Sequence, residues 1–262
     1  MYSNEHKRYL KKRKLNKILV IITQISILLF ILLLWEYLAY KELINTFISS
    51  SPSQIIKTIL NLYQQNNLFN HIGITVFETI ISFIISVILG ITTAIILWWN
   101  QFISKVVDPY LTILNSLPKV ALGPIIIIWI GANMNSIIVM ALLISVIITT
   151  ITVYNGFINT DINKINLLKS LKASKYQILK YVVIPSNYST IISSLKINIS
   201  MSLIGVIMGE FLVSKEGIGY LIMYGSQVFN LDLVLSGIII LMIVSYLMYL
   251  IIYYIERKIT NN

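Results

Sequence analysis

The chain is 262 residues long, with 57% hydrophobic and only 11% charged residues, where soluble domains carry roughly 45–50% and about 25%. Mean hydropathy is +0.83 and cysteine is absent, which excludes a disordered, collagen-like or disulfide-stapled protein and any thiolate metal site. The net charge of +10, from 20 Lys and Arg against 10 Asp and Glu, is then a matter of membrane topology before it is one of nucleic acid.

A bilayer core needs about 20 apolar residues as helix, and six segments qualify. Residues 1–17 form a basic tail. The first span, 18–40, contains ISILLFILLLW with Glu36 near its outer end. It is too long for a cleavable signal peptide and no small-residue cleavage site follows. The segment 41–70 contains SSSPSQIIKTILNLYQQ. There Ser51 or Ser53 can cap, Pro52 suits a first turn, and Ile55, Ile56, Ile59, Leu60 and Tyr63 recur at helical spacing. This predicts a short amphipathic helix on the outer membrane surface, for packing rather than binding.

The second span runs over about 75–99. Its acid, Glu78, lies only some three residues in and reads as interfacial or ion-paired, the alternative being a proton or cation site. The third, about 104–130, is interrupted by Pro118, Lys119, Gly123 and Pro124. The fourth covers 136–157, the fifth about 188–213 and the sixth 233–255. Lys196 in the fifth is expected to snorkel to the inner headgroups.

The basic residues fix the orientation. Seven precede the first span, five lie between the fourth and fifth, Lys105 lies between the second and third, and Arg257 and Lys258 follow the sixth. These 15 of 20 share one side, which is therefore cytoplasmic with both termini. Anionic headgroups suffice to explain the basic tail, so no nucleic-acid partner is inferred.

The cytoplasmic connection 159–185 reads NTDINKINLLKSLKASKYQILKYVVIP. Leu167, Leu168, Leu171, Ile178, Leu179 and Val182 mark an apolar face, a break near Ser174 divides two short helices, and Pro185 closes the segment. Such a basic amphipathic loop can rest on lipid. Its length and compact pattern point instead to a docking surface for a cytoplasmic partner.

In the fifth span Ser194, Asn198, Ser202, Gly205 and Gly209 are spaced 4, 4, 3 and 4, within about 80° on one helix face. Small and polar residues there either permit close helix packing or line a polar route. Glu210 follows, then KEGIGYLIMYGSQ with Gly217, Gly219 and Gly225, too short and glycine-rich to span again and read as an irregular or re-entrant segment. His6 in the tail and His71 at a membrane entry point make no metal-binding pair. No phosphate-cradling glycine loop and no GxSxG elbow is present, so no enzyme is expected.

Three stretches carry a family resemblance: SLPKVALGPIIIIWIGANMNSIIVM (116–140), the cytoplasmic loop running through its proline into the fifth span, and MGEFLVSKEGIGYLIMYGSQVFNLDLV (208–234). Together they resemble the permeases of ATP-binding-cassette (ABC) importers of the nitrate/sulfonate/taurine type, over about residues 52–257. The loop departs from the family's Glu-Ala-Ala pattern. Asn166, Leu167 and Leu168 stand in those places, and Lys172 stands for the glycine, while Ala173, Ser174 and the spacing to Pro185 are kept. A lysine is tolerated there unless the position requires φ > 0. The departures bear on docking strength or partner specificity. Where the family places a basic residue near the start of the second span, this chain has Glu78.

The resemblance implies an all-α polytopic protein with the type I ABC importer permease fold: six transmembrane helices, both termini cytoplasmic, and a coupling loop over 159–185 within a transmembrane domain of 71–257. It implies a bacterial plasma-membrane protein with no cofactor of its own. Two copies or two related chains would form the pathway. Cytoplasmic ATP-binding subunits would grip the loops, at Asn166, Leu167, Leu168, Leu171, Lys172, Ala173, Ser174 and Pro185, and an extracellular binding protein would deliver a small solute. Ser194, Asn198, Ser202, Gly205, Gly209, Glu210, Gly217 and Gly219 are the candidates for a pathway or gate. The competing reading is a self-sufficient secondary transporter or channel, which would place several ionisable or broken-helix sites at the midplane.

The topology is directly testable. A reporter fused after Asn262, or inserted beside Lys172, is expected to report the cytoplasm, and one near Gln65 the exterior. An exterior signal at Lys172 reverses the orientation.

Overall fold

The computed structural model describes residues 4–65 and 67–260, so residues 1–3 of the basic tail, Asn66 of the outer segment and residues 261–262 lie outside it. The described chain is helical throughout its length. Five helices are long and apolar enough to cross a bilayer, and a sixth crossing is made if one sharply bent pair counts as a single span.

Helix α1 (Asn4–Tyr40) carries the basic tail and the first span as one uninterrupted rod, so the expected division at residues 17 and 18 is no structural break. Of residues 18–40 only Ala39, at the outer end, is buried. It meets the body at its outer end, where the Glu36 carboxylate accepts the Ser53 N–H at 3.0 Å. After α2 (Thr46–Ser49), α3 (Pro52–Gln64) starts as its sequence predicts. Ser51 is the N-cap, accepting the Gln54 N–H, and Pro52 sits in the first turn. Its Ile55 is only 2% exposed, and the Ile55 carbonyl accepts the Ser236 hydroxyl at 3.3 Å. The amphipathic helix is thus a packing helix, as expected.

The second span, α4 (Asn67–Trp99), begins eight residues before the expected start. The third is bent: α5 (Gln101–Ser116) and a segment over Lys119–Ile130 meet at 92°. Leu117 precedes Pro118 and is extended, with ψ 136°, because a residue before proline disfavours the helical region. A single 3-10 turn (Lys119–Leu122) then leads into α6 (Gly123–Ile130), which Gly131 ends at φ +94°. The fourth span, α7 (Met134–Ile158), opens on a capping box between Asn133 and Ser136. The cytoplasmic loop holds α8 (Ile162–Ser170), α9 (Lys175–Ile178), a π turn (Leu179–Val183) and α10 (Ile184–Ser186). The fifth span is α11 (Tyr188–Val213), followed by the short α12 (Ile218–Gln227) and the sixth span, α13 (Leu231–Thr260).

The centre of the bundle is α4, α7 and α11. Association in lipid gains little from the hydrophobic effect and rests on close backbone approach and interhelical hydrogen bonds; both are present. A Cβ on Gly205 would overlap the Ala141 backbone, one on Gly209 would lie 2.9 Å from the Ile137 Cα, and one on Gly90 would lie 2.7 Å from Thr149. Between them Asn198 bridges all three helices. Its Oδ1 accepts the hydroxyls of Ser86 (2.8 Å) and Ser202 (3.1 Å), and its Nδ2 donates to Thr149 Oγ1. The fifth-span stripe is therefore interior: Ser194, Asn198, Ser202, Gly205, Gly209 and Glu210 are all buried against α4 and α7. Of the two roles the pattern allowed, the geometry within one chain is that of close packing, not of an open polar route. Lys196 reaches towards the cytoplasmic end of α13, where it forms an ion pair with Glu256 and stands 5.3 Å above the Tyr253 ring.

Replacing Gly205 with Leu is expected to force α7 and α11 apart, costing about 1–3 kcal/mol. Gly73→Ala, which meets nothing within 4 Å, is expected to be neutral or slightly stabilising. Melting of the two purified variants against wild type checks the contrast.

Candidate functional site

Two features stand apart from simple packing, one at each end of the fifth span. The first is the cytoplasmic loop. Asp161 caps α8, accepting the Asn163 N–H at 2.9 Å. Helix α8 ends in a Schellman arrangement: the Ala173 N–H reaches the Leu168 carbonyl at 3.0 Å and the Lys172 N–H the Lys169 carbonyl at 2.9 Å. That closure places Lys172 in the left-handed region, φ +60°. The glycine position of the family pattern does require positive φ, and this chain fills it with a side chain that strains there by about 1–2 kcal/mol. Ser174 starts α9 through a capping box with Gln177. The loop's two ends are stapled where Asn187 Nδ2 donates to Thr160 Oγ1 at 2.7 Å.

The expected apolar face divides in two. Leu168 and Ala173 pack inward, onto a base of Phe157, Ile178, Leu179 and Val183. Leu167 and Leu171 point away and are 63% and 70% exposed. Asn166, Lys172, Ser174 and Pro185 are exposed as well. Not all the lysines form a solvated rim. Lys175 folds back, donating to the Trp99 carbonyl and lying 5.7 Å from the Trp98 and Trp99 rings. Lys169 lines a cavity of about 750 Å³ between the loop and the inner ends of α4, α5 and α7.

The second feature is the start of α12. The first N–H groups of a helix have no partner inside it, and here side chains of α4 and α11 supply them. His71 Nδ1 accepts the Gly217 N–H (2.9 Å), Thr75 Oγ1 the Ile218 N–H (2.8 Å), and Glu210 Oε2 the Gly219 N–H (2.5 Å). Thr75 donates its own proton to Glu210 Oε1 at 2.6 Å. Gly217 (φ +103°) and Gly219 are glycines because a Cβ on either would run into the Glu210 carboxylate. The re-entrant expectation for this stretch resolves into a short capped helix.

Glu78 corrects its expectation. It is not ion-paired but 3% exposed, one turn beyond the Thr75 hydroxyl that holds Glu210, so that its carboxyl lies beside that of Glu210. The start of α4 at Asn67 puts it eleven residues into the helix, about 16 Å along its axis. His71 and Thr75 as partners of the glycine stretch were missed. The signal was present: His71, Thr75, Glu78, Ser82 and Ser86 follow at spacings of 4, 3, 4 and 4 on one helix face, a counterpart of the stripe on α11. A third stripe was also passed over. Gln101, Lys105, Asp108, Thr112 and Asn115 of α5 fall within about 80° and are all exposed, with Lys119 Nζ donating to the Asn115 carbonyl at 3.0 Å.

Known proteins share this plan. Residues 86–261 match the family model described as "Binding-protein-dependent transport system inner membrane component". A probable ABC transporter permease protein of Haemophilus influenzae is 28% identical over 219 residues, covering 84% of this chain and 89% of its own length. A putative aliphatic sulfonates transport permease protein of Bacillus subtilis is 24% identical, covering 87% and 83%. Among solved structures, the inward-facing MetNI methionine ABC transporter aligns with TM-score 0.65 at 16% identity, covering 74% of this chain and 97% of that one. A bacterial transporter importing the acidic polysaccharide alginate aligns with TM-score 0.65 at 15% identity, covering 97% and 99%. With two-thirds of its length inside the family model and its helices in the type I importer arrangement, the chain belongs to the binding-protein-dependent transport system inner membrane components, the permease subunits of ABC importers in the bacterial plasma membrane.

Proposed function

We propose that this permease works as a pair, two copies or two related chains, that carries a small organic anion of the aliphatic sulfonate or taurine kind, handed over by an extracellular binding protein. ATP is held and hydrolysed by cytoplasmic partner subunits that grip the loop between α7 and α11. The observation that carries the reading is the pair of outward leucines, Leu167 and Leu171, on a loop whose other face is buried and stapled. Exposed apolar anchors on a rigid base are what a protein partner buries at the centre of an interface. A mobile lipid-resting helix would need no such base.

The cargo class draws on two supports. Relatives include a putative aliphatic sulfonates permease of Bacillus subtilis and a taurine transport system permease protein of Escherichia coli. The polar stripe of α5 is exposed on a single chain, and polar groups at membrane depth face water or protein rather than lipid. It ends at the cation of Lys119, at the break of the bent pair, where an anion would be met by a positive charge. Closing of the ATP-binding subunits would move the stapled loop as a rigid lever and rock the two halves between outward and inward access.

Three measurements test this. Uptake of labelled taurine or alkanesulfonate by cells is expected to stop when the partner ATPase loses its catalytic glutamate; uptake by the reconstituted permease alone, driven by an ion gradient, favours the secondary-transporter reading instead. Leu171→Asp is expected to weaken co-purification with the ATPase by about 2 kcal/mol or more, roughly thirtyfold, because a carboxylate would be desolvated in an apolar groove. Lys169→Ala is expected to change it by less than about 1 kcal/mol. Lys172→Gly relieves the left-handed strain and is expected to stabilise the loop by about 1 kcal/mol, seen as slower amide exchange over residues 167–175 and unchanged or tighter ATPase binding.

A further inference from the structure

The residues that hold the start of α12 converge on two carboxyl groups buried in the outer half of the bundle. Glu78 is 3% and Glu210 1% exposed. Glu210 accepts the Thr75 hydroxyl and the Gly219 N–H, and Glu78, one turn beyond Thr75 on the same face of α4, lies beside it. Glu78 Oε2 has no partner, nor has the hydroxyl of Ser82 one turn further along α4. Two buried carboxyl groups held side by side need a proton on one of them, since two ionised carboxylates only accept and repel.

Among the described residues, no cation compensates a second negative charge. On α4 the remaining titratable side chain is His71, whose Nδ1 accepts the Gly217 N–H and so carries no proton. On α11 they are Tyr188 in the first turn and Lys196, fourteen residues from Glu210 and already paired with Glu256 of α13. On α12 there are Tyr220 and Tyr224, and in the preceding turn Lys215 and Glu216 are both exposed. Helix α6 carries no titratable side chain, and α7 carries Tyr154 alone, hydrogen-bonded to Ser104 at the cytoplasmic end. On α3, Lys57 and Tyr63 are exposed. On α13, Asp232 lies in the first turn and the tyrosines, Glu256, Arg257 and Lys258 lie in the second half.

We propose that Glu78 and Glu210 hold one proton between them, and that this one-proton site latches the N-terminus of α12 at the outer mouth of the permease. With the proton in place, Glu210 stays aligned to receive the Gly219 N–H. Without it, two adjoining carboxylates repel in a water-poor interior. The side chain pushed away is then the one that anchors α12, so the outer end of α11 and the helix it holds become free to separate. The "outer" placement rests on the permease reading. The test below measures the folded protein and not transport, so the latch can fail while that reading stands.

The purified full chain, in complex with its ATPase partners in lipid nanodiscs, is melted between about pH 6 and pH 9 with and without added sodium. A native state holding a proton that separated carboxyls release loses stability as pH rises, by up to about tenfold in folded-to-unfolded ratio per pH unit for one proton. In Glu78→Gln the amide donates to Glu210 with no shared proton, so this slope is expected to flatten. Wild type is also expected to show the infrared band of a protonated carboxyl at neutral pH, lost in Glu78→Gln. That band can be sought in wild type alone should the variant fail to fold. An unchanged pH slope in Glu78→Gln, or no such band in wild type, overturns the proposal. So does melting that responds to sodium and not to pH, which would make the pair a cation site.

Discussion

A polar side chain inside a bilayer has no water to bond with, so each must find its partner within the protein. That constraint organises this molecule. Helices α4 and α11 each present a polar face, and the two faces meet. At mid-depth Asn198 joins Ser86, Ser202 and Thr149, and nearer the outside Glu210 joins Thr75 and Glu78. Neither face is satisfied alone. The seam therefore specifies pairing as well as attraction, since Asn198 meets Ser86 and Glu210 meets Thr75 in one register. Glycines 90, 205 and 209 let the backbones come close enough for side chains as short as serine to reach across.

The seam also positions the two ends of the fifth span for different work. At the cytoplasmic end the chain leaves the bundle in a loop whose inward residues continue the core and whose closing bond, Asn187 to Thr160, ties it back to the end of α7. The loop is thus packed and hydrogen-bonded onto the ends of α7 and α11, as the proposed lever between an ATPase and the bundle requires. At the outer end the same two helices offer their side chains as the cap of α12. A movement that opens the seam at one level would be felt by both, because α4 and α11 each run without a break through both levels.

The bent third span serves a different purpose from the straight ones. Leu117 and Pro118 turn the chain by 92° and leave α5 with an exposed polar stripe that the chain itself never covers. A polar stripe left open at membrane depth would meet a partner chain or water in the proposed pair. The stripe on α11, by contrast, is already closed by α4 and α7. Equal periodicities in two spans therefore carry different meanings, and only their neighbours tell them apart.

Composition and periodicity by themselves determined the number of spans, their orientation, the break at Pro118, the cap of α3 and the helix-turn-helix form of the cytoplasmic loop. These depend on local chemistry: apolar length against bilayer thickness, lysines against the inner surface, proline and serine against the helix backbone. The order of three motifs was enough to point to the importer permeases. What the tertiary structure decided are the properties that need two segments at once. It decided that Lys172 must adopt a left-handed conformation, because the required φ follows from how α8 closes onto Leu168 and Lys169. It decided which leucines of one amphipathic loop are core and which are free. It brought Glu78 and Glu210, 132 positions apart, into contact, which no spacing rule along one helix can reveal. Burial and pairing are relations between faces, and a single strand of sequence shows each face without showing what it meets.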